Sequence, residues 1–116
     1  MDDGLTFSRK YRLLDRQAFD RVFADPVRLT IPPFTLLFRE NQMGHPRLGM
    51  VIAKKNLRLS VRRNAVRRKV RETFRLSKGR LPGVDLVLIA RRDIVDFSAP
   101  QLVSQLNKIW TRLADD

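Results

Sequence analysis

The chain has 116 residues, 43% of them hydrophobic, and sets 24 Lys and Arg against 12 Asp and Glu, a net charge of +12. That length suits one domain, residues 1–116, with enough apolar content for a core, and the charge makes nucleic acid the leading class of partner. The absence of cysteine excludes a disulfide framework, thiolate zinc sites and a thiol nucleophile, in keeping with a cytoplasmic protein.

No membrane partner is expected. The apolar run 84–90 is far too short for a bilayer, and MDDGLTF lacks the charged start and apolar stretch of a signal peptide. Residues 1–12 read as an N-terminal arm containing Phe7, Tyr11 and Arg12. Asp15 is placed to cap a helix over 16–24 with Phe19, Val22 and Phe23 on one side, and Asp25-Pro26 stops it. Ile31-Pro32-Pro33 leads into a strand over 34–40, with Phe34, Leu36 and Phe38 on one face and Thr35, Leu37 and Arg39 on the other. The Asn, Gly and Pro of 41–46 predict a hairpin turn into a return strand over 48–53, with Gly49 as a point of close approach.

The stretch 54–78 holds eleven Lys or Arg and a single acid, Glu72. Val66, Val70 and Phe74 recur every four residues with Thr73 and Ser77 alongside, so the segment is a helix with one apolar stripe. Arg63, Arg67 and Arg71 follow the same spacing on another side, flanked by Asn64, Arg68 and Arg75. Four helical residues rise about 6 Å, close to the spacing of backbone phosphates. Ser60 is placed to cap this helix, and Gly79 to end it in the left-handed conformation. The bland alternative is a solvated basic face, but like charges at i,i+4 destabilise a helix, and an anionic partner would offset that.

Leu81-Pro82-Gly83 is a turn, and VDLVLIA over 84–90 reads as a strand buried on both faces. Ser98 and Gln101 form a capping box with Phe97 stapled onto Leu102. The last helix carries Leu102, Leu106, Ile109 and Leu113 on one stripe, with Trp110 beside it presenting an exposed indole edge. The order helix, strand, strand, helix, strand, helix predicts an α/β (α+β) two-layer sandwich with a small mixed sheet. The basic helix is the crossover of a βαβ unit if strands 48–53 and 84–90 are parallel. Protein-based phosphodiester hydrolysis needs carboxylate-held metals or a general base. His45 lies in a turn, and Asp85, Asp93 and Asp96 suit strand-end and pre-cap roles. No catalytic or metal site is therefore assigned to the chain alone.

Arg63-Asn64, Val66-Arg67-Arg68, Arg71-Glu72 and Phe74-Arg75 together resemble the signature of the protein subunit of bacterial ribonuclease P. The resemblance extends to Phe7 with Arg12-Leu13, Phe19 with Phe23, Leu48-Gly49 through Ala53-Lys54-Lys55, and 81–85 with the strand after it, covering about residues 7–113. Ala65 stands where the motif usually has its second Arg, and Ala53 where it usually has Ser. The resemblance implies a left-handed βαβ crossover, against the general right-handed preference. It further implies a ribonucleoprotein that removes the 5′ leader of precursor tRNA, with Mg²⁺ held by the catalytic RNA and a one-protein, one-RNA complex.

On that resemblance, Arg62, Arg63, Asn64, Arg67, Arg68, Arg71 and Arg75 would bind the catalytic RNA, since the guanidinium fork suits phosphate and its face stacks on bases. Phe19, Phe23, Leu37, Lys54, Lys55 and Arg12 would bind the single-stranded leader. Aromatics at i,i+4 equally suit a core, and one ring could do both. A small ribosomal protein or a DNA-binding module that lays its helix in a major groove would share the charge. The 63–75 pattern favours ribonuclease P over the first, and the scarcity of base-reading side chains on the helix argues against the second.

Overall fold

A computed structural model describes residues 9–115; Phe7 and the rest of 1–8 in the arm lie outside them. After a 3-10 turn, Arg9–Tyr11, the elements are α1 (Arg16–Ala24), β1 (Val27–Ile31), β2 (Phe34–Glu40), β3 (Arg47–Val51), α2 (Ser60–Ser77), β4 (Val84–Ala90) and α3 (Ala99–Asp115). The mixed sheet has the order β1-β2-β4-β3. The α+β class with a small mixed sheet is the one expected.

The strand pairing differs from the expected hairpin in one respect. β2 and β3 do not pair: β4 runs between them, antiparallel to β2 and parallel to β3. The 41–46 connection therefore spans two strand spacings, roughly 10 Å. Asn41 and the positive φ of Gln42 and Gly44 give it turn chemistry that a tight hairpin would share. A strand as apolar as β4 needs neighbours and cover on every side, and the central slot supplies them. The true hairpin is β1–β2, turned at Pro32-Pro33, with Ile31 opposite Phe34. β1 goes unpredicted because it is a short, largely exposed edge strand.

Alternation divides the sheet. Leu36 and Phe38 of β2 and Leu86 and Leu88 of β4 join one core with Val66, Val70 and Phe74 of α2 and Leu102, Leu106, Ile109, Trp110 and Leu113 of α3. On the opposite face Leu37 and Val87 pack against Leu13 and against Ala18 and Val22 of α1. Asp15 caps α1 by accepting from the Gln17 N–H. The Ser98–Gln101 capping box forms in both directions, at 2.8 and 3.3 Å.

Three local expectations are corrected. Ser60 does not cap α2. The chain is extended at Leu59, which takes the cap position with no side-chain hydrogen bond, and Ser60 is already helical. Gly79 is not left-handed, because α2 tightens into a 3-10 turn, Lys78–Arg80, where the Leu81 N–H bonds the Lys78 carbonyl. Trp110 has no exposed edge. It is fully buried, edge-on to Phe74, and its indole Nε1–H donates to Thr73 Oγ1 at 2.9 Å. A large ring with a polar tip can lie inside when that tip finds an acceptor.

Asp85 is buried and takes a two-pronged ion pair from Arg47, directly opposite it on β3, with both contacts at 2.8 Å. Asn41 adds a third donor at 2.9 Å. This arrangement holds β3 and the 41–46 loop to the central strand. Two stability measurements test these assignments. Thr73→Val leaves the indole N–H buried without a partner and should cost about 1–3 kcal/mol, while Thr73→Ser should retain most of the stability. Asp85→Ala strands a charge that is 19% exposed and should cost about 3 kcal/mol, the lower end for half of a buried pair. Chemical denaturation of the three variants reads these differences.

Candidate nucleic-acid interface

Helix α2 forms because its Val66–Val70–Phe74 stripe, with Thr73 and Ser77, is buried against the sheet and α3. That burial turns the arginine rows outward. Arg67, Arg68, Arg71 and Arg75 then wall one side of a groove of about 670 Å³. The other side is built by Arg12, Leu13 and Leu14 of the N-terminal segment, Phe19 of α1 and Leu48, Gly49 and Met50 of β3. The N-terminal segment is held there by a parallel bridge between Arg12 and Leu48 and by the Leu13 N–H, which donates to the Leu48 carbonyl at 3.0 Å.

The electrostatics of this groove are one-sided. Burial first, and then the neighbouring guanidiniums of Arg12, Arg67 and Arg68, pull the Arg71 pKa below the ordinary arginine value. Arginine nevertheless stays charged at neutral pH, so the repulsion persists. Glu72 is the one acid among the lining residues. α2 also starts with no acid in its first turn, where an acid would favour the helix dipole.

The candidate residues fall into distinct settings. Arg67 donates to Asn64 Oδ1 at 3.1 Å, which holds the two side chains together on the helix surface. One nitrogen of Arg63 is committed within the chain, donating to the carbonyls of Leu57 and Arg58 at 2.9 and 2.7 Å. That residue closes the loop leading into α2. Arg62 is exposed at the helix start and Arg75 is half-buried at the far end of the groove. Lys54 and Lys55 are exposed in the turn after β3.

Phe19 and Phe23 stack with ring centroids 6.5 Å apart and an interplanar angle of 23°. Phe19 is half-buried and reaches the groove, whereas Phe23 is 46% exposed. Leu37, expected to bind the leader, is only 4% exposed and lies among Ala18, Val22 and Val87. It supports α1 from beneath and is not open to a ligand, because the inward face of α1 needs an apolar partner on the sheet. Gly49 is a close-approach point: a Cβ there would collide with the Phe19 ring.

Sequence reasoning treated the basic helix and the aromatic surface as two sites. The fold makes them adjoin through Arg12 and Phe19. Their contiguity depends on β3 lying at the sheet edge beside the N-terminal segment, and no local spacing carries that information. Also missed was a cluster at Tyr11, with Lys78 Nζ 5.0 Å from its ring centroid and His45 edge-on at 5.4 Å. His45 is half-buried, with ring nitrogens 3.1 and 3.3 Å from the Met43 and Lys10 carbonyls. Among the described residues no three His, Cys, Asp or Glu side chains gather as a metal-holding group, and none of the helices is long and apolar enough to cross a membrane.

The family model described as Ribonuclease P matches residues 7–114. The ribonuclease P protein component of Haemophilus influenzae (strain PittGG) is 44% identical over 108 residues, 93% of this chain and 91% of the relative. That of Proteus mirabilis (strain HI4320) is 42% identical over the same shares. Among solved structures, the RNase P protein of Thermotoga maritima is 34% identical, with a TM-score of 0.77 over 90% of this chain and 96% of that one. The Staphylococcus aureus RNase P protein superposes with a TM-score of 0.81 at 26% identity, over 88% and 94%. Similarity of this extent, spanning both the arginine helix and the fold around it, shows that the chain belongs to the bacterial ribonuclease P protein family.

Proposed function

We propose that this chain is the non-catalytic protein subunit of ribonuclease P, binding the catalytic RNA through the α2 arginines and the single-stranded 5′ leader of precursor tRNA across α1. The catalytic RNA with its bound Mg²⁺ performs the hydrolysis in the cytoplasm, in a complex of one protein and one RNA. The observation that carries this reading is the groove in which Arg12, Arg67, Arg68, Arg71 and Arg75 meet Phe19. Clustered guanidiniums that repel one another favour a polyanion, and the adjoining aromatic pair suits unpaired bases of varied sequence. Arg62 and Asn64 extend the RNA-facing surface toward the helix start, and Lys54 and Lys55 offer backbone contacts near the leader path. Arg63 holds the loop before α2 through one nitrogen and offers its other donors to the catalytic RNA.

The chain's own acids support this division of labour. Asp85 is saturated by Arg47 and Asn41, and Asp93 and Asp96 lie in the short 3-10 turn after β4. Binding and orientation of RNA are what the remaining polar side chains can supply.

Two outcomes test the reading. Arg67→Ala and Arg71→Ala should each weaken binding to the catalytic RNA and lower the slope of log affinity against log salt by about 1, the loss of one phosphate contact. An unchanged slope would contradict phosphate contact. Arg71→Ala should also act with the opposite sign on the free chain. In low salt it should stabilise the fold by roughly 0.5 kcal/mol per relieved arginine pair, and inorganic phosphate should raise the Tm of the parent chain more than that of the variant.

A further inference from the structure

One row of side chains crosses the sheet beneath α1: Leu37 on β2, Val87 on β4 and Gly49 on β3 are in register. Over the first two, α1 sets Ala18 and Val22, in a closed apolar contact. Over the third it sets the ring of Phe19. A Cβ on Gly49 would overlap Phe19 Cζ and stand 2.7 Å from Cε1, with Leu13 Cβ at 3.4 Å. The row thus steps down from leucine to valine to no side chain, and the space at its end is filled by the ring.

Gly49 is not there for backbone freedom. It lies in a paired strand, and Gly44 is the glycine with positive φ among the described residues. An alanine could adopt its backbone, so the constraint is steric and comes from one ring. That ring sits between two features: the arginine groove, which it lines, and exposed Phe23, on which it stacks.

We infer that Gly49 is a positioning residue, whose missing side chain lets the Phe19 ring lie against β3 so that single-stranded RNA passes from the arginine groove over Phe19 to Phe23. This rests on the leader-binding reading above. With a Cβ at position 49, the ring swings away from β3. The groove beside it, about 670 Å³, gives it room, so the fold survives while the link between the two surfaces is broken. The role differs from that of a core residue in that stability and leader preference separate.

The test is a double-mutant cycle on the complex of chain and catalytic RNA, reading the affinity for precursor tRNA relative to mature tRNA. Phe19→Ala should lower this preference about five-fold or more, the lower range for one base stacked on an aromatic ring. Gly49→Ala should lower it comparably with a Tm close to that of the parent. The combined variant should be no worse than Phe19→Ala, because without the ring the added Cβ displaces nothing. Parental preference in Gly49→Ala while Phe19→Ala has lost it would overturn the role of Gly49, as would losses that multiply in the combined variant. Parental preference in Phe19→Ala would instead overturn the leader-binding reading, and the inference with it. If Gly49→Ala fails to fold, Gly49→Ala with Phe19→Leu should fold and match Phe19→Leu alone, and a lower preference in a folded double variant would overturn the proposal.

Discussion

The orientation of one helix governs what this molecule presents to its surroundings, and a buried contact sets that orientation. Val66, Val70 and Phe74 seat α2 on the sheet, and the Trp110 indole N–H bonds Thr73 Oγ1 from the neighbouring α3. Thr73 in turn donates back to the helix carbonyls of Lys69 and Val70, at 2.9 and 3.1 Å. Apolar burial alone would tolerate some rotation of α2 about its axis; a directional hydrogen bond in the core tolerates much less. With the rotation fixed, Arg67, Arg68, Arg71 and Arg75 line a groove whose other side is the N-terminal segment and β3. The core thereby determines where the charge lies.

That placement sets stability against function. The guanidiniums around Arg71 repel one another, with Glu72 as the lone acid lining the groove. Local charge neutralisation would stabilise the free chain and remove the attraction for a polyanion. The ion pair with the strongest geometry, Arg47 with Asp85, is spent elsewhere, at the point where β3 joins the central strand. Opposite charges therefore fasten the scaffold, and like charges are concentrated where RNA is proposed to bind.

Much of this was legible in the chain. The α2 stripe, the Asp15 cap, the Ser98–Gln101 box and the buried strand 84–90 all rest on local periodicity or local hydrogen bonding, which the sequence carries directly. What failed needed long-range information. The 41–46 turn residues fit a tight hairpin as well as a connection that leaves a slot for β4. Trp110 is buried because Thr73, 37 positions away, receives its N–H. Leu37 alternates correctly with Leu36, yet which face α1 covers is not written in that alternation. Gly49 was readable as a close approach, but the approaching ring, Phe19, was identified only by the fold. The junction of the arginine row with the aromatic pair is a property of topology.

The central claim is that the chain assists a reaction performed by RNA. The most direct measurement is cleavage of a 5′-labelled precursor tRNA at low Mg²⁺, with a bacterial catalytic RNA alone, with the chain alone and with both. Leader release that is slow with RNA alone, absent with the chain alone and fast with both is the predicted result. Cleavage by the chain alone, or no acceleration when it joins the RNA, would contradict the account.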